Sequence, residues 1–375
     1  MIVTHRLYTG AGQDLYRYLK NNNSSVLLVE HSFASYPDRR TVFSFFDGKN
    51  ESKKSGINFR FLPDILCYIK DFCYSFYAAA RFPYRYKRYF GCGGFNVIPA
   101  LILRALGRVD KVIFYTIDFA PRRFKNSILN LLYRFIDQIA VTFADEIWNV
   151  SERISQAREN FSKIPKRISR KQKCVPIGIW IENLPRERTQ ARSLKNLVFC
   201  GDLTEGQGVQ LVLQAIPEIV RHLNDFKFTV IGDGDYLCIL KEMSRELGIE
   251  KFVDFTGPIY DSASLLKRLC LFRIAVAPYL GDELSTAYFA DQTKPKTYFS
   301  CSLPVVITKL PWIHELVEQR NLGLVIDYNK SQMASAVVRL MNDDKLYQEC
   351  RKNIESFISE LDWSKIFENA LTGKI

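Results

Sequence analysis

Residues 291–308, with the sequence DQTKPKTYFSCSLPVVIT, carry the clearest local signal in the chain. Residues 296–302 predict a short helix, and the β-branched run at 304–308 predicts a strand directly after it. A helix start offers unpaired N–H groups and partial positive charge, and Lys294 and Lys296 would add full charges there. The stretch therefore predicts an anion site. A capped surface helix with two solvated lysines is the alternative.

The chain is long enough for two domains, and its charge is unevenly divided between its halves. Its 375 residues exceed the usual size of a single core, and 47% apolar and 25% charged residues are typical of a globular protein. Residues 1–190 contain 31 Lys and Arg against 16 Asp and Glu, a net charge of +15, whereas residues 191–375 contain 21 against 24, a net charge of −3. Unless it serves solubility alone, this asymmetry indicates an anionic partner for the first half, either nucleic acid, lipid headgroups or a pyrophosphate-linked acceptor.

Cysteine usage and hydropathy favour a cytoplasmic protein. The nine cysteines show no C-x-x-C spacing, which argues against disulfides and a zinc site. The first ten residues lack the apolar core of a signal peptide, and no window approaches ~18 consecutive apolar residues. We therefore expect a cytoplasmic protein without a metal site.

The first half alternates strands and helices in the order of a doubly wound α/β sheet. The predicted elements are strands at 1–5, 25–30 and 41–46, a helix at 13–21 and a polar loop at 47–56. Gly10 and Gly12 lie between the first strand and the first helix, where a substrate could approach the backbone on the acceptor side. A plain tight turn is the stronger explanation of the two glycines.

Residues 63–95 combine aromatic residues with Arg81, Arg85, Lys87 and Arg88. Cations beside amphipathic rings are typical of a segment at a membrane surface, because the rings lie at headgroup depth while the cations meet anionic lipid. Single-stranded nucleic acid could stack on the same rings. A helix with its aromatics in the core and its arginines in water is the third possibility.

The next strand, predicted at 111–117, ends beside Asp118, and ligands of open α/β sheets bind at the carboxyl ends of strands. A basic loop is predicted at 163–173 and an interdomain linker at 182–195. From Leu197 the alternation of strands and helices restarts, which predicts a second doubly wound unit.

Five segments of the second half resemble, in order, segments of family 4 glycosyltransferases, which have the GT-B fold. They are FCGDLTEGQGVQLVLQAI, FTVIGDGDYL, FVDFTGPIYD, IAVAPYL and DQTKPKTYFSCSLPVVIT. The last is similar to the pattern D-P-G-K-P-K-x-Y-L-A-C-G-L-P-V-I of a subset of that family. In the first half, YTIDFAPRRF and ADEIWNVSERISQAR resemble the matching segments.

The resemblance implies two Rossmann-like, doubly wound domains that face each other across a cleft. Residues 1–178, joined by a C-terminal helix at 361–375, would bind the acceptor, and residues 179–360 would bind the nucleotide-sugar. The donor-binding residues that it implies are Gly201, Gln207, Gly208, Gly232, Gly234, Gly257, Ile259, Tyr279, Asp291, Lys294, Lys296 and Thr297. Asp118 falls near a family histidine that touches the transferred sugar, so we expect it to be catalytic, with a structural turn cap as the alternative.

Three departures from the family pattern bear on the donor site. The usual G-R-x-x-x-x-K-G reads GDLTEGQG, so its two cations are replaced by Asp202 and Gln207. The ribose-binding glutamate falls on Thr297, and a glycine falls on Ser302. Because both cations are lost, we expect Lys294 and the neighbouring Lys296 to contact the donor diphosphate.

The resemblance implies transfer of a sugar, with retention of configuration, from a UDP- or GDP-linked donor that is a substrate, with no cofactor and no metal. The expected acceptor is a saccharide or lipid-linked saccharide in cell-surface polysaccharide assembly, reached from the inner face of the cell membrane. We expect an anionic membrane surface as a partner and no nucleic acid. The alternatives are a sugar-nucleotide epimerase of the same fold and a basic nucleic-acid-binding protein.

Overall fold

The computed structural model describes residues 1–6, 10–33, 36, 38–59, 61–121, 123–124, 126–162, 164–185 and 195–374. The chain divides into two compact units. Unit 1 comprises residues 1–176 and 366–375, and unit 2 comprises residues 177–365. Most of the predicted linker, residues 186–194, lies outside the described residues.

Unit 1 is built on an eight-stranded sheet with the order β4-β3-β2-β1-β5-β6-β7-β8. Its strands are β1 (Ile2–His5), β2 (Val26–His31), β3 (Val42–Phe46), β4 (Glu51–Ser55), β5 (Tyr86–Cys92), β6 (Val109–Thr116), β7 (Glu146–Asn149) and β8 (Gln172–Cys174). The ladders are parallel except that β3 is antiparallel to both β2 and β4. Six parallel strands require helical crossovers, which is the doubly wound arrangement that the sequence predicts.

The helices of unit 1 are α1 (Ala11–Asn21), α2 (Asp64–Arg81), α3 (Gly94–Ala105), α4 (Ser127–Phe143), α5 (Glu152–Ser162) and α6 (Lys166–Ser169). Small residues let α2, α3 and α4 approach the sheet closely, and Ala78, Ala100 and Ala140 from these three helices lie in one core cluster. The three helices therefore share one face of the sheet.

Two loop predictions for unit 1 are wrong. Residues 47–56 contain the edge strand β4, whose sequence ESKKS is exposed throughout and has no apolar alternation to reveal it. It becomes a strand through its pairing with β3, in which Phe43 lies opposite Lys54. The predicted basic loop at 163–173 likewise contains α6 and β8.

Residues 63–95 do not form one interfacial segment. They comprise α2 and the central strand β5, in which Tyr89 and Phe90 are buried. Arg85 lies just before β5, at the amino-terminal edge of the sheet, and pairs with Asp110. Tyr89 and Phe90 of β5 therefore belong to the core, as the third possibility expects, although they lie in a strand and not in a helix.

Unit 2 contains a six-stranded parallel sheet with the order β11-β10-β9-β12-β13-β14. Its strands are β9 (Asn196–Cys200), β10 (Lys227–Ile231), β11 (Val253–Phe255), β12 (Ile274–Ala277), β13 (Val305–Thr308) and β14 (Gly323–Ile326). Every residue of β12 and β13 is buried, as apolar runs in a sheet covered on both faces predict. The strand order reverses between β9 and β12, where such sheets bind ligands.

The helices of unit 2 and of the C-terminus are α7 (Val209–His222), α8 (Leu237–Glu246), α9 (Ser262–Leu269), α10 (Thr286–Phe289), α11 (Thr293–Ser300), α12 (Ile313–Gln319), α13 (Lys330–Asn342), α14 (Asp344–Phe357) and α15 (Trp363–Thr372). Helix α11 begins three residues before the predicted start at residue 296, so Lys294 lies within its first turn. Across the described parts of both units, no helix is long and apolar enough to cross a membrane.

Candidate functional site

A pocket of about 290 Å³ lies at the carboxyl ends of β9 and β12, where the strand order reverses. Its lining residues are Cys200, Gly201, Asp202, Gln207, Leu265, Tyr279, Gln292, Thr293, Lys294, Thr297 and Tyr298. They come from the end of β9 and the loop after it, from helix α9 (Leu265), from the end of β12 and from the start of α11. The pocket therefore combines the amino-terminal end of a helix with the edge of a parallel sheet.

Lys294 is the cation at the centre of this pocket. Its Nζ lies 3.9 Å from the centroid of the Phe199 ring and 5.2 Å from that of Tyr279, and it donates to Gln207 Oε1 at 2.5 Å. The side chain reaches the pocket, while the ammonium is surrounded by protein atoms. This burial lowers the pKa of Lys294 to about 7, although Asp202 nearby opposes the shift. The amine is therefore close to half protonated near neutral pH.

Gly201 creates the space that Lys294 occupies. A Cβ at position 201 would lie 2.8 Å from Lys294 Cε and 3.0 Å from its Nζ. Gly208 has a left-handed φ of +74°, and a Cβ there would lie 1.6 Å from the carbonyl oxygen of Pro278. Both glycines serve close packing in the loop that leads into α7.

Tyr298 fixes the helix that carries Lys294. Its hydroxyl accepts a hydrogen bond from the Cys200 N–H at 2.9 Å and donates to the Val276 carbonyl at 3.2 Å. One side chain thus joins α11 to the ends of β9 and β12. Because Tyr298 follows Lys294 by one helical turn, this contact sets the position of the amine.

Asp291 and Lys296 form a buried ion pair beside the pocket. Lys296 Nζ lies 2.5 Å from Asp291 Oδ2, and both side chains are at most 1% exposed. The backbone of Ile177 closes the cluster, since its N–H donates to Asp291 at 2.6 Å and its carbonyl accepts from Lys296. Burial raises the pKa of Asp291, and the Lys296 ammonium opposes that shift.

This placement corrects the sequence interpretation of Lys296 and Asp291 as donor contacts. Two residues along a helix turn a side chain by about 200°, so Lys296 faces the core when Lys294 faces the pocket. The sequence shows the two lysines but not which of them has a buried carboxylate as its partner.

The remaining predicted donor residues divide into two groups. Gln207, Tyr279 and Thr297 line the pocket. The others hold the surrounding structure together: Gly232, Gly234, Gly257 and Ile259. The Gly232 N–H donates to the Gly257 carbonyl at 3.0 Å, and a Cβ on Gly234 would lie 2.4 Å from the Leu203 carbonyl oxygen. Ile259 packs against a core cluster of unit 2.

Sequence reasoning did not assign six of the lining residues to the donor site: Cys200, Asp202, Leu265, Gln292, Thr293 and Tyr298. All but Leu265 lie within four residues of Gly201 or Lys294, and this adjacency is the signal that could have found them. Ser302, which stands where the family has glycine, adopts a left-handed φ of 54° at the end of α11. The glycine of the family pattern thus marks a backbone conformation that this serine also takes.

Asp118 of unit 1 forms an ion pair with Arg123 at 2.6 Å, with 46% of its side chain exposed. The segment before it is held by Arg158, which donates to Thr116 Oγ1 at 2.9 Å and to both carboxylate oxygens of Asp137. Burial of this guanidinium, in contact with the Phe119 ring, fixes the loop on which Asp118 lies.

The two acceptor-side glycines lie at the start of α1. Gly10 precedes the helix with an extended backbone, and a Cβ on Gly12 would lie 3.0 Å from Cys92 Sγ and Thr4. Gly12 therefore has a packing role. Within the described ranges, no group of three or more His, Cys, Asp and Glu side chains is placed to hold a metal ion.

A second pocket, of about 530 Å³, lies in unit 1 between the β3–β4 hairpin and α2. Phe43, Tyr74, Tyr77 and Phe82 dominate its lining. The smaller pocket of unit 2 is the stronger candidate, because it combines a buried cation, a helix start and the reversal of strand order.

Comparisons with known proteins show what unit 2 and the whole fold are similar to. Residues 194–343, which contain the pocket, match the family described as Glycosyl transferases group 1. The alpha-monoglucosyldiacylglycerol synthase of Streptococcus pneumoniae is 24% identical over 233 residues, covering 55% of this chain and 49% of the synthase. The match thus spans about half the length of that curated relative.

Two solved structures cover nearly the whole chain. The structure of Anabaena HepE in complex with UDP has a TM-score of 0.72 at 14% identity and covers 99% of this chain and 98% of its own. A trehalose-6-phosphate synthase, studied for glycosyltransfer with retention, has a TM-score of 0.74 at 13% identity with the same coverage. The predicted GT-B fold is therefore confirmed.

We predict that the Asp291→Asn variant lowers the free energy of unfolding by about 3–5 kcal/mol, because the Lys296 ammonium stays buried without its counter-charge. Adding Lys296→Met should recover much of this loss, since the uncompensated charge is then removed. Equilibrium urea unfolding, followed by a probe in unit 2, measures both.

The matched control is Glu360→Gln, which breaks an exposed ion pair with Arg320 in the same unit. It should change the free energy of unfolding by less than ~1 kcal/mol. An Asp291→Asn variant as stable as this control would contradict the assigned role of the buried pair.

Proposed function

We propose that this chain, which has the GT-B fold and carries a glycosyl transferases group 1 domain at residues 194–343, is a glycosyltransferase that moves a sugar from a nucleoside-diphosphate sugar to an acceptor. The observation that carries the proposal is the position of Lys294 at the start of α11, in the pocket at the carboxyl ends of β9 and β12. The comparisons favour this activity over a sugar-nucleotide epimerase and a nucleic-acid-binding protein.

The chemistry requires positive charge where the diphosphate leaves. Breaking the bond between sugar and nucleotide puts negative charge on the diphosphate, and preorganised cations and helix N–H groups stabilise it. Lys294 supplies the cation, and the first turn of α11 supplies the N–H groups. Gln207, now bonded to Lys294, would release the amine to the phosphate oxygens.

On the acceptor side, unit 1 offers Asp118, whose carboxylate would accept the proton of the acceptor hydroxyl or bind a hydroxyl of the transferred sugar. Arg123 holds this carboxylate, and the Arg158 network fixes the loop beneath it. We propose retention of the anomeric configuration. The trehalose-6-phosphate synthase, studied for glycosyltransfer with retention, supports this by analogy.

We further propose a lipid-linked saccharide as the acceptor, reached at the inner face of the cell membrane. The name of the pneumococcal synthase supports the lipid part of this proposal, since its product carries a diacylglycerol. The net charge of +15 over residues 1–190 also favours an anionic surface as the partner of this half.

We predict that binding of UDP or GDP takes up a proton above pH 7, because Lys294 has a pKa of about 7 in the free protein and a diphosphate stabilises its charged form. Affinity should therefore fall as the pH rises above 7. Lys294→Gln should remove the proton uptake and weaken binding by about 1.5–3 kcal/mol. Calorimetry in buffers of different ionisation enthalpy measures both quantities.

The control is Lys267→Gln, which neutralises an exposed lysine of α9 in the same unit. It should bind nucleotide as the wild type does, with the same proton uptake. Unchanged proton uptake in Lys294→Gln would remove Lys294 from the site, and a failure of every nucleoside diphosphate to bind would remove the proposed function.

We also predict that Asp118→Asn lowers kcat by about 10²–10⁴-fold, the range for loss of a general base, and leaves nucleotide affinity unchanged. Release of the nucleoside diphosphate, with lipid-linked saccharides as acceptors, measures the turnover. Asp110→Asn, which breaks a similar exposed pair with Arg85 in unit 1, is the control. Equal turnover in the two variants would make Asp118 a structural turn residue.

A further inference from the structure

Helix α4 has two apolar stripes, and one of them faces outward. Ile128, Leu131, Leu132 and Phe135 follow the spacing i, i+3, i+4 and i+7, which aligns them on one face of the helix. Their exposed fractions are 75%, 62%, 51% and 58%. A helix on a protein surface normally has one apolar stripe, directed at the core, so the outward stripe indicates a binding surface.

The outward stripe belongs to a helix that is well fixed at both ends. Further along α4, Ala140 and Val141 are buried in the core of unit 1. At its start, the Asn126 side chain accepts from the Ile128 and Leu129 N–H groups, at 2.8 and 3.2 Å. The exposed side chains are therefore displayed by an ordered element.

More exposed apolar residues lie at the same edge of the sheet. Leu66, Tyr68 and Ile69 in the first turns of α2 are exposed, and the Tyr68 ring lies 5.4 Å from that of Phe95 at the start of α3. The start of α3 in turn contacts the middle of α4, where a Cβ on Gly94 would lie 3.5 Å from Ile136. The starts of the three helices thus join one surface, which we call the apolar edge: Leu66, Tyr68, Ile69, Ile128, Leu131, Leu132 and Phe135.

Positive charge accompanies this edge. Arg134 is exposed on α4 between Leu132 and Phe135. Arg123, just before the helix, pairs with Asp118. The first turn of α4 has no acidic residue. An anionic surface complements this combination of rings, aliphatic side chains and cations.

We propose that the apolar edge of unit 1 docks on the surface of a bilayer that contains anionic lipid. The outward stripe of α4 would enter the headgroup region, and Arg134 beside it would contact lipid phosphates. A second copy of the chain is a poorer occupant, because a two-fold contact through α4 would bring like charges together. The proposal deepens the proposed function and rests on it, since it assigns the surface that presents unit 1 to a lipid-linked acceptor.

This assignment overlaps only in part with the segment that the sequence suggests, because the apolar edge includes the start of α2 but not the cations at 81–88. Arg85 and Lys87 lie at the start of β5, whereas α4 begins after the carboxyl end of β6. The cations of 81–88 and the apolar edge are thus at opposite ends of the same parallel strands. The two surfaces can be tested separately in one experiment.

The experiment is co-sedimentation of the full chain with phosphatidylcholine vesicles, with and without phosphatidylglycerol. The wild type should bind the anionic vesicles, less strongly as salt rises, and should bind the neutral ones poorly. Replacing Ile128, Leu131, Leu132 and Phe135 together by Gln should lower the partition coefficient more than about tenfold. A variant with Arg81, Arg85, Lys87 and Arg88 replaced by Gln should lose less than about threefold.

A matched control changes four exposed apolar residues of unit 2, Ile239, Leu247, Tyr260 and Leu271, to Gln. It should bind vesicles as the wild type does. Melting temperature and nucleotide affinity, which report the fold and unit 2, should be unchanged in the α4 variant.

Three results would overturn the proposal. The first is that the wild type does not bind anionic vesicles. The second is that the α4 variant binds them as the wild type does. The third is that the wild type forms a dimer, which the α4 substitutions dissociate while vesicle binding persists. Nucleotide binding separates the two hypotheses: vesicle binding without nucleotide binding would reject the proposed function and keep the docking surface.

Discussion

The candidate site depends on one constraint, the confinement of the Lys294 amine between the Phe199 and Tyr279 rings above a glycine. Desolvation of the amine is unfavourable, and it lowers the pKa of Lys294 to about 7. The surrounding structure maintains this position through Tyr298, which holds α11 against β9 and β12. A bound diphosphate would supply the negative charge that the free site lacks. Because burial favours the neutral amine in the free protein, binding of the anion would raise the protonated fraction of Lys294.

In the family pattern that this chain resembles, two cations of the first glycine loop provide the positive charge for the diphosphate. Here their positions hold Asp202 and Gln207, which leaves Lys294 as the cation of the pocket.

Lys296, unlike Lys294, is buried away from the pocket for a geometric reason. It lies two positions further along α11, on the face that packs into unit 2, where Asp291 neutralises it and Ile177 completes its hydrogen bonds. A buried pair of this kind fixes a single arrangement of the groups around it, because removal of either partner leaves an unpaired charge. The start of α11 is thus joined to the segment at Ile177 by one lysine and presents the other to the pocket.

The fold was largely predictable from the sequence, and the reasons are local. The run IAVA is apolar throughout and VVIT is apolar up to its final threonine, as strands buried on both faces require, and each is followed by a proline or a polar turn. The edge strand β4 was not predictable, because the lysines of ESKKS face water and only their pairing with β3 makes them a strand. Residues 63–95 were predictable only in part, because they are divided between a helix with an exposed apolar start and a core strand, which composition alone does not separate. Of the candidate site, the sequence predicted the position of Lys294 and Gln207 but not the burial of Lys296, since its partner Asp291 is recognisable only once α11 is folded. The apolar edge was equally hidden, because the spacing of α4 fits both a buried and an exposed stripe.

Amide hydrogen exchange with and without a saturating nucleoside diphosphate tests the central claim most directly, since it locates binding on the backbone without assuming an acceptor. We expect slower exchange at two segments of unit 2, residues 201–208 after β9 and residues 293–297 at the start of α11, with the Lys294→Gln variant losing protection at both. Saturated binding that leaves these two segments unprotected, or that protects unit 1 alone, would contradict the assignment of the donor site.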